Sequence, residues 1–295
     1  MRAFCFFFLS MSVAACGGRA DGELGGSGSS SGAVAPSGAV GGSGSGSFTV
    51  MSNRPIAGTS TGASYSRSAS FTDPTPTCAT TNAGACSITP CRATSSDAAD
   101  ASAPLPNAGQ LTFAGAEMTS VVLDPEGDGS YMSQTVAQQL AWNTGGEMVN
   151  IQWAHLPGDP TQPGGSITLA TPPYIALSPG SPLSSTPSVL ARAEDTTFSW
   201  TSDSPPSVLD QVLVDVWVGS TQITCVFSAM AGAGIVPATA LQALGAGQGN
   251  YDIHSKESAS ETLNGVNGEQ WAVGFNIDAH ARTSYGVATG SVTIQ

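Results

Sequence analysis

Apolar and polar side chains alternate along several short stretches of the chain, which is typical of strands with one buried face. The clearest stretches are Val149–Trp153, Val212–Val218, Ile223–Phe227 and Trp271–Ile277. In the second of these, four valines share one face, while Leu213, Asp215 and Trp217 share the other. Few charges and many Val, Thr and Ser residues also favour strands over helices. The pattern therefore predicts an all-β fold.

Shorter stretches complete this prediction. Further strands are predicted at Ala63–Phe71, Cys86–Pro90, Leu111–Phe113, Ser120–Leu123, Ser166–Leu169 and Thr197–Thr201. Ser133–Trp142 is the best helix candidate of the first half, although a strand followed by a loop suits it equally. Pro237 opens a helical turn that Gly245 ends. Tyr285–Ile294 is predicted to form a closing antiparallel pair with the Trp271 strand.

A proline-dense segment divides the predicted folded part of the chain in two. Residues 171–188 are dense in proline, which indicates a hinge or linker. We therefore predict two small β-sandwich-like domains, an N-terminal one over 48–186 with a cysteine cluster and a C-terminal one over 187–295. Seven or so short strands in the second half favour an immunoglobulin-like sandwich there.

The N-terminus has the parts of a secretory signal peptide, which are a positive charge at Arg2, an apolar run and small residues at the cut site. Cysteine directly after Val13-Ala14-Ala15 predicts a lipoprotein signal peptide over 1–15 and lipidation, including palmitate, at Cys16. Ordinary cleavage at the same bond is the alternative, but it would leave an exposed thiol in an oxidising compartment. The apolar run falls well short of the about 20 residues that span a bilayer.

Residues 16–47 are predicted to be a flexible, disordered tether that begins at the lipidated cysteine. Gly and Ser make up 20 of the 31 residues from 17 to 47. Such a linker has a root-mean-square reach of roughly 30 Å. It would hold a folded body away from a membrane.

Charge narrows the choice of partners. Only 10% of the 295 residues are charged, and the net charge is −13. Phosphate backbones repel such a chain, which excludes nucleic acid as a partner class. Anionic membrane surfaces repel it as well, so the predicted partners are the membrane, through the N-terminal lipid, and an unknown envelope protein or glycan. Gly17 in place of a retention-signal Asp favours the outer membrane of the cell envelope.

Four cysteines remain beyond the signal and the lipidation site, namely Cys78, Cys86, Cys91 and Cys225. An even number in an exported chain predicts two disulfides with three possible connectivities. One pairing joins Cys78 to Cys86 across a short turn, and Cys91 to Cys225. The alternative joins Cys86 to Cys91, and Cys78 to Cys225.

The sharpest local candidate for chemistry is an acidic turn formed by Asp124, Glu126 and Asp128. Carboxylates at alternate positions before a glycine resemble the first half of a calcium loop. The twelfth position is Thr135, where such a loop needs a bidentate Glu. A plain acidic hairpin turn is favoured, and calcium is kept as a weak candidate, with no other cofactor predicted.

No catalytic motif stands out. The three histidines (His155, His254, His280) are scattered, so we predict that they lie on the surface or at strand ends. No serine lies in a hydrolase elbow motif. The five tryptophans lie mostly in alternating strands, so we predict core packing for them, with Trp217 as the preferred exposed aromatic. We predict that the chain is not an enzyme.

The second half is similar to a block in uncharacterised lipoproteins of myxobacteria and related deltaproteobacteria. The similarity rests on Ile223–Ala229, Gly232–Leu244, Gly84–Cys91 and Phe198–Thr201, and covers about residues 62 to 295. It implies fold and location but no catalytic residues. The expectation is a cell-envelope lipoprotein with a non-catalytic structural, adhesive or ligand-binding role. The alternatives are an envelope hydrolase whose site assembles only in three dimensions, and a calcium-dependent adhesin.

Overall fold

The alternating stretches of the sequence form strands in the computed structural model of the chain. The structure describes residues 43–54, 63–72, 79–90, 107–127, 130–157, 159–184, 188–264, 270–283 and 286–295. Strand is the main secondary structure within these ranges, so the predicted all-β, sandwich-like fold class is confirmed. No helix in the described ranges is long and apolar enough to cross a membrane.

The strands of the first part of the chain are β1 Ser43–Asn53, β2 Ser64–Thr72, β3 Thr81–Ala83, β4 Cys86–Thr89, β5 Leu111–Gly115, β6 Met118–Leu123, β7 Gln134–Ala137, β8 Met148–Leu156, β9 Asp159–Ala170 and β10 Ile175–Leu177. Those of the second part are β11 Val189–Leu190, β12 Thr196–Ser202, β13 Gln211–Val218, β14 Thr221–Ser228, β15 Ala233–Val236, β16 Gly247–Asn264, β17 Gln270–His280, β18 Arg282–Thr283, β19 Gly286–Val287 and β20 Thr289–Ile294. A 3-10 turn covers Ala229–Ala231, and the helix α1 covers Ala238–Ala243 after Pro237, which confirms the predicted helical turn.

An eleven-stranded sheet, here called the central sheet, is organised around β16. Nine of its strands follow the order β3-β4-β14-β13-β16-β17-β1-β2-β7. The 18-residue strand β16 pairs antiparallel with β13, with β17 along its second half and with β20 along its first half. The predicted pairing of the C-terminal strand with the Trp271 strand is therefore wrong, because both strands pair with β16, one after the other along the same edge, and not with each other.

Two smaller sheets accompany the central sheet. One has the order β15-β12-β10-β18-β19, and the other has the order β6-β5-β8-β9. The helix candidate Ser133–Trp142 forms β7 and then a loop, which confirms the alternative interpretation. Its apolar positions Val136 and Leu140 suit either conformation, and pairing of β7 with β2 decides between them.

Two buried clusters of apolar side chains form the core. The first joins residues between Phe48 and Tyr174 to those between Trp271 and Ala279, and the rings of Phe48 and Phe275 stack at a centroid distance of 5.1 Å within it. The second lies among β10–β16 and β20 and includes Cys86. Strands from both sides of the predicted boundary at 186 and 187 enter the central sheet. The division into two domains at that boundary stays a prediction.

The proline-dense segment is partly buried. Tyr174 and Ile175 are fully buried, and β10 pairs with β12 and β18. Residues 171–177 are thus part of the folded core, and the prediction of a linker is wrong for them. Proline removes one backbone donor but fixes an extended conformation, so the residues that follow a proline pair can still join a sheet.

The predicted tether ends earlier than expected. Residues Ser43–Ser47, assigned from their composition to the flexible linker, lie in β1 and pair parallel with β17. Gly46 explains why a Gly/Ser repeat suits this strand. A Cβ atom built at Gly46 would lie 2.5 Å from the ring of the buried Phe71, so the ring packs directly on the glycine backbone.

The disulfide joins Cys86 of β4 to Cys225 of β14, which lie directly opposite each other in the sheet. Neither pairing proposed from the sequence contains this bond, so both are wrong. Turn chemistry suggested a local hairpin bond, whereas pairing of β4 with β14 brings together two cysteines 139 residues apart. Cys78 and Cys91 lie outside the described residues.

We expect Gly46→Ala to destabilise the protein by about 1–3 kcal/mol, because the added methyl would overpack the ring of Phe71. Urea unfolding measures the change. Gly274→Ala is the matched control, since a Cβ there would meet nothing closer than 3.9 Å. Equal stability of the two variants would contradict the assigned packing.

Removal of the disulfide by the double substitution Cys86→Ala and Cys225→Ala should lower the free energy of unfolding by about 4–5 kcal/mol. The estimate is the chain-entropy value for a loop of on the order of 100 residues. Urea unfolding under oxidising conditions tests this value. Peptide mapping without reductant should recover Cys86 linked to Cys225, and recovery of either bonded to another cysteine would overturn the pairing.

Candidate functional site

A group of histidine and aspartate side chains assembles on one face of the central sheet. Asp252 and His254 lie two residues apart on β16, so they share a face. The register of β16 and β17 places His280 directly opposite His254. Asp278, two residues before His280, joins the same face. These four residues are here called the histidine–aspartate cluster.

Asp252 contacts both imidazoles. Its Oδ1 lies 2.8 Å from His280 Nδ1, which is a hydrogen-bond distance. Its Oδ2 lies 3.5 Å from His254 Nδ1. On the other side of the ring, His254 Nε2 lies 4.0 Å from Asp278 Oδ1. One imidazole is therefore placed between two carboxylates, and one carboxylate between two imidazoles.

Burial and charge shift the pKa values of the cluster. Burial raises the pKa of Asp252, but hydrogen bonding and the charges of both histidines outweigh it and bring the pKa well below its usual range. Burial lowers the pKa of His254, yet Asp252, Asp278 and Asp215 outweigh burial and raise it. The pKa of Asp278 is raised by burial against the opposing charge of His254.

Two polar atoms of the cluster lack hydrogen bonds within the described structure. His254 is 8% exposed and Asp278 is 5% exposed. Neither His254 Nδ1 nor Asp278 Oδ1 has a hydrogen-bond partner there. A buried, incompletely paired ionisable group is costly for folding. Perturbed pKa values that arise from burial and a specific charge partner cluster at functional sites.

The cluster contains one pair of groups with an arrangement known from acid–base catalysis. The Asp252–His280 pair has the arrangement of a base and the carboxylate that orients it. In the described part of the chain, no hydroxyl hydrogen-bonds to either imidazole. Within the same ranges, no three His, Cys, Asp or Glu residues form a group that could hold a metal ion.

The histidines were not predicted to meet. Their 26-residue separation and the polar composition of β16 concealed the pairing, since β16 had no strand signal of its own. The expectation of surface or strand-end histidines fits His280, which ends β17, and is wrong for the buried His254. His155 stands apart, with its Nδ1 2.8 Å from the Leu156 carbonyl oxygen.

The lipidation candidate and the acidic turn predicted from the sequence are only partly described by the structure. Cys16 and Asp128 lie outside the described residues. Asp124 accepts a hydrogen bond from Gln110 at 3.0 Å, and the Glu126 amide donates to the Ser130 carbonyl oxygen at 2.7 Å. The second of these contacts joins the two sides of the acidic segment, and the acidic hairpin turn stays a prediction. Calcium at Asp124 and Glu126 stays a prediction.

Four of the five tryptophans are buried, as predicted. They are Trp142, Trp153, Trp200 and Trp271. Trp217 is half-buried on the outer face of β13, in register with Gln222 of β14 and Asn250 of β16. Trp217 therefore lies on the same face of the central sheet as the histidine–aspartate cluster, in register with two amide side chains.

A surface groove of about 480 Å³ lies at the ends of β12 and the 3-10 turn, lined by Trp200, Asp203, Pro205, Pro206 and Met230. Asp203 forms an ion pair with Arg54 and lies 4.0 Å from Arg282. Met230, which lines the groove, is 60% exposed, and two further large apolar side chains are exposed in the loop before β13, namely Val208 (81%) and Leu209 (66%). These three residues are here called the apolar patch. No pattern in the sequence predicts their exposure.

Comparisons with known proteins give little further information. No protein-family model and no curated protein matches the chain. A solved structure described as "Structural insight into host cell surface retention of a 1.5-MDa bacterial ice-binding adhesin" is 9% identical, with a TM-score of 0.18. The match covers 82% of this chain and spans 66% of that one. Such a TM-score does not establish a shared fold, and the resemblance to deltaproteobacterial lipoproteins stays a prediction.

We expect Asp252→Asn to lower the free energy of unfolding by about 1.5–3 kcal/mol at pH 7, because it removes a charge-assisted hydrogen bond. The folded-state pKa of Asp252 is lowered, so its contribution exists above its ordinary pKa and is lost only as pH falls through the folded value. The deficit should therefore persist at pH 4.5. Asp124→Asn, at an exposed turn, should change stability by less than about 0.5 kcal/mol.

Proposed function

We propose that this chain is a lipoprotein of the cell envelope, held by an acyl chain on Cys16, whose β-rich body binds a partner without catalysing a reaction. The signal peptide and the cysteine at its cut site support the anchor. The disulfide supports an oxidising, extracytoplasmic location, because such bonds persist there and are rare in the cytosol. We propose the outer membrane as the site of anchoring.

The observation that carries the binding role is the apolar patch beside the groove. Large aliphatic side chains exposed together on a soluble surface mark interaction sites more often than single exposed ones do. Val208 and Leu209 lie in the loop before β13, and Met230 lies in the 3-10 turn that follows β14. The hydrogen bond from the Ala229 amide to the Asp210 carbonyl oxygen, at 2.9 Å, holds these two segments together. The patch is therefore presented by a fixed part of the fold.

An envelope hydrolase is the second candidate. The observation that favours it is the 2.8 Å contact between His280 Nδ1 and Asp252, since this pair could orient a general base. A serine-directed fluorophosphonate probe distinguishes the two proposals. Labelling of the full chain that disappears in His280→Gln would favour the hydrolase, and absence of labelling would favour binding without catalysis.

The anchor is tested by Cys16→Ser. After an alkaline carbonate wash, which removes proteins held only by surface binding, the protein without an acyl chain should leave the membrane fraction, whereas the acylated wild type should stay in it. Metabolic labelling with an alkyne analogue of palmitate should mark the wild type and not the variant. Cys5→Ser, inside the signal peptide, is the matched control and should keep both the label and the membrane pool. Unchanged fractionation of Cys16→Ser would overturn the proposed anchor.

The binding role is tested with the full chain carrying Cys16→Ser as a soluble probe. It should co-sediment with isolated envelopes, and adding Leu209→Ser with Met230→Ser should reduce this association about tenfold. Met132→Ser with Met148→Ser is the control, because these methionines are 68% and 54% exposed in other parts of the chain. Equal binding by both double variants would remove the apolar patch from the proposal.

A further inference from the structure

The histidine–aspartate cluster lies where the chain leaves the central sheet for the five-stranded sheet. β17 ends at His280, and β18 begins at Arg282 and pairs with β10. The Ala281 amide donates to the Ile253 carbonyl oxygen at 2.8 Å. The Ile253 amide in turn donates to the Ala288 carbonyl oxygen at 2.9 Å. We call this junction the corner, and its backbone hydrogen bonds lie next to the imidazoles in sequence.

Charged and titratable groups reach His254 from three paired strands: Asp215 from β13, Asp252 and Lys256 from β16, and Asp278 and His280 from β17. Three carboxylates therefore share this face with one lysine and two imidazoles. When both imidazoles are protonated, the positive and negative charges balance. When both are neutral, two negative charges are left without compensation.

We propose that the histidine–aspartate cluster is a pH-sensitive device, which holds the corner closed while the imidazole of His254 is protonated and loosens the corner when that imidazole loses its proton. Buried like charges repel more strongly than exposed ones, because the surroundings screen them less. Asp278 Oδ1 has no hydrogen bond in the described structure to offset that repulsion. This repulsion acts at the end of β17, where only Ala281 separates β17 from β18.

The direction of the effect follows from linkage. The pKa of His254 is raised in the folded state, so its stabilising contribution is complete below its ordinary pKa and is lost as pH rises through the folded value. The pKa of Asp278 is also raised, so its deprotonation above its ordinary pKa weakens the fold as well. Both groups predict a less stable corner at mildly alkaline pH than at mildly acidic pH.

The first test measures urea unfolding of the full chain carrying Cys16→Ser, from about pH 5.5 to 8.5. Each proton that the folded state holds and the unfolded state has lost raises the unfolding constant by up to about tenfold per pH unit. We expect such a rise above about pH 6.5 in the parent protein and a much smaller one in His254→Gln. His155→Gln, outside the cluster, should keep the parent dependence. An unfolding constant of the parent protein that stays level or falls as pH rises would overturn the proposal.

The second test locates the opening by amide hydrogen exchange, corrected for the intrinsic effect of pH. The protection factors of the Ala281 and Ile253 amides should fall about tenfold between pH 6 and pH 8. The amide of Val214, in the middle of β13, should keep its protection. Loss of protection at all three amides together, or at none, would refute an opening at the corner.

Asp278→Asn keeps the proposal testable if His254→Gln does not fold. An amide removes one of the uncompensated negative charges and leaves the shape of the side chain nearly unchanged. Between pH 6.5 and pH 8.5, the factor by which the unfolding constant rises should be about tenfold smaller in Asp278→Asn than in the parent protein. A rise that is unchanged in Asp278→Asn would show that the cluster is not the source of the pH dependence.

Discussion

The backbone ladder of β16 is the interaction on which the rest of the structure depends. This strand is hydrogen-bonded to β13 on one side, and to β20 and β17 in succession on the other. β17 in turn holds β1, the first described strand, in a parallel pair. The two buried apolar clusters receive side chains from opposite ends of this ladder, with Ile253 in one and Ala259 packed against the other. Disruption of β16 would thus affect both cores at once.

The same ladder also explains why charged side chains are buried. Alternation along β16 sends Ile253 and Ser255 to one face and Asp252 and His254 to the other. Both faces are largely covered around these positions, so the second face must accommodate ionisable groups away from water. Mutual pairing of His254 with Asp252 and Asp278 offsets part of the desolvation cost. The remaining unpaired atoms leave this face more sensitive to its protonation state than a fully paired network would be.

Alternation predicted the fold class and most strand positions well, because apolar side chains facing a core leave a period of two. Val212, Val214 and Val216, for example, are fully buried, as their pattern indicates. The pattern failed for β16, whose buried positions include Ser255 and Glu257 as well as Ile253. It also failed for Ser43–Ser47, because a Gly/Ser repeat has the same composition in a linker and under a packed ring. In both cases the decisive contacts are with residues distant in sequence.

Pairing between distant strands was likewise invisible, and the candidate site depends on it. Cys86 meets Cys225, and His254 meets His280, only because of sheet register, which no local signal specifies. The composition nevertheless explains why histidine occupies such a position. With 8 Lys and Arg residues against 21 Asp and Glu residues, permanent cations are scarce. A half-buried carboxylate such as Asp252 is then compensated by imidazoles, and compensation by imidazole depends on pH whereas compensation by arginine does not.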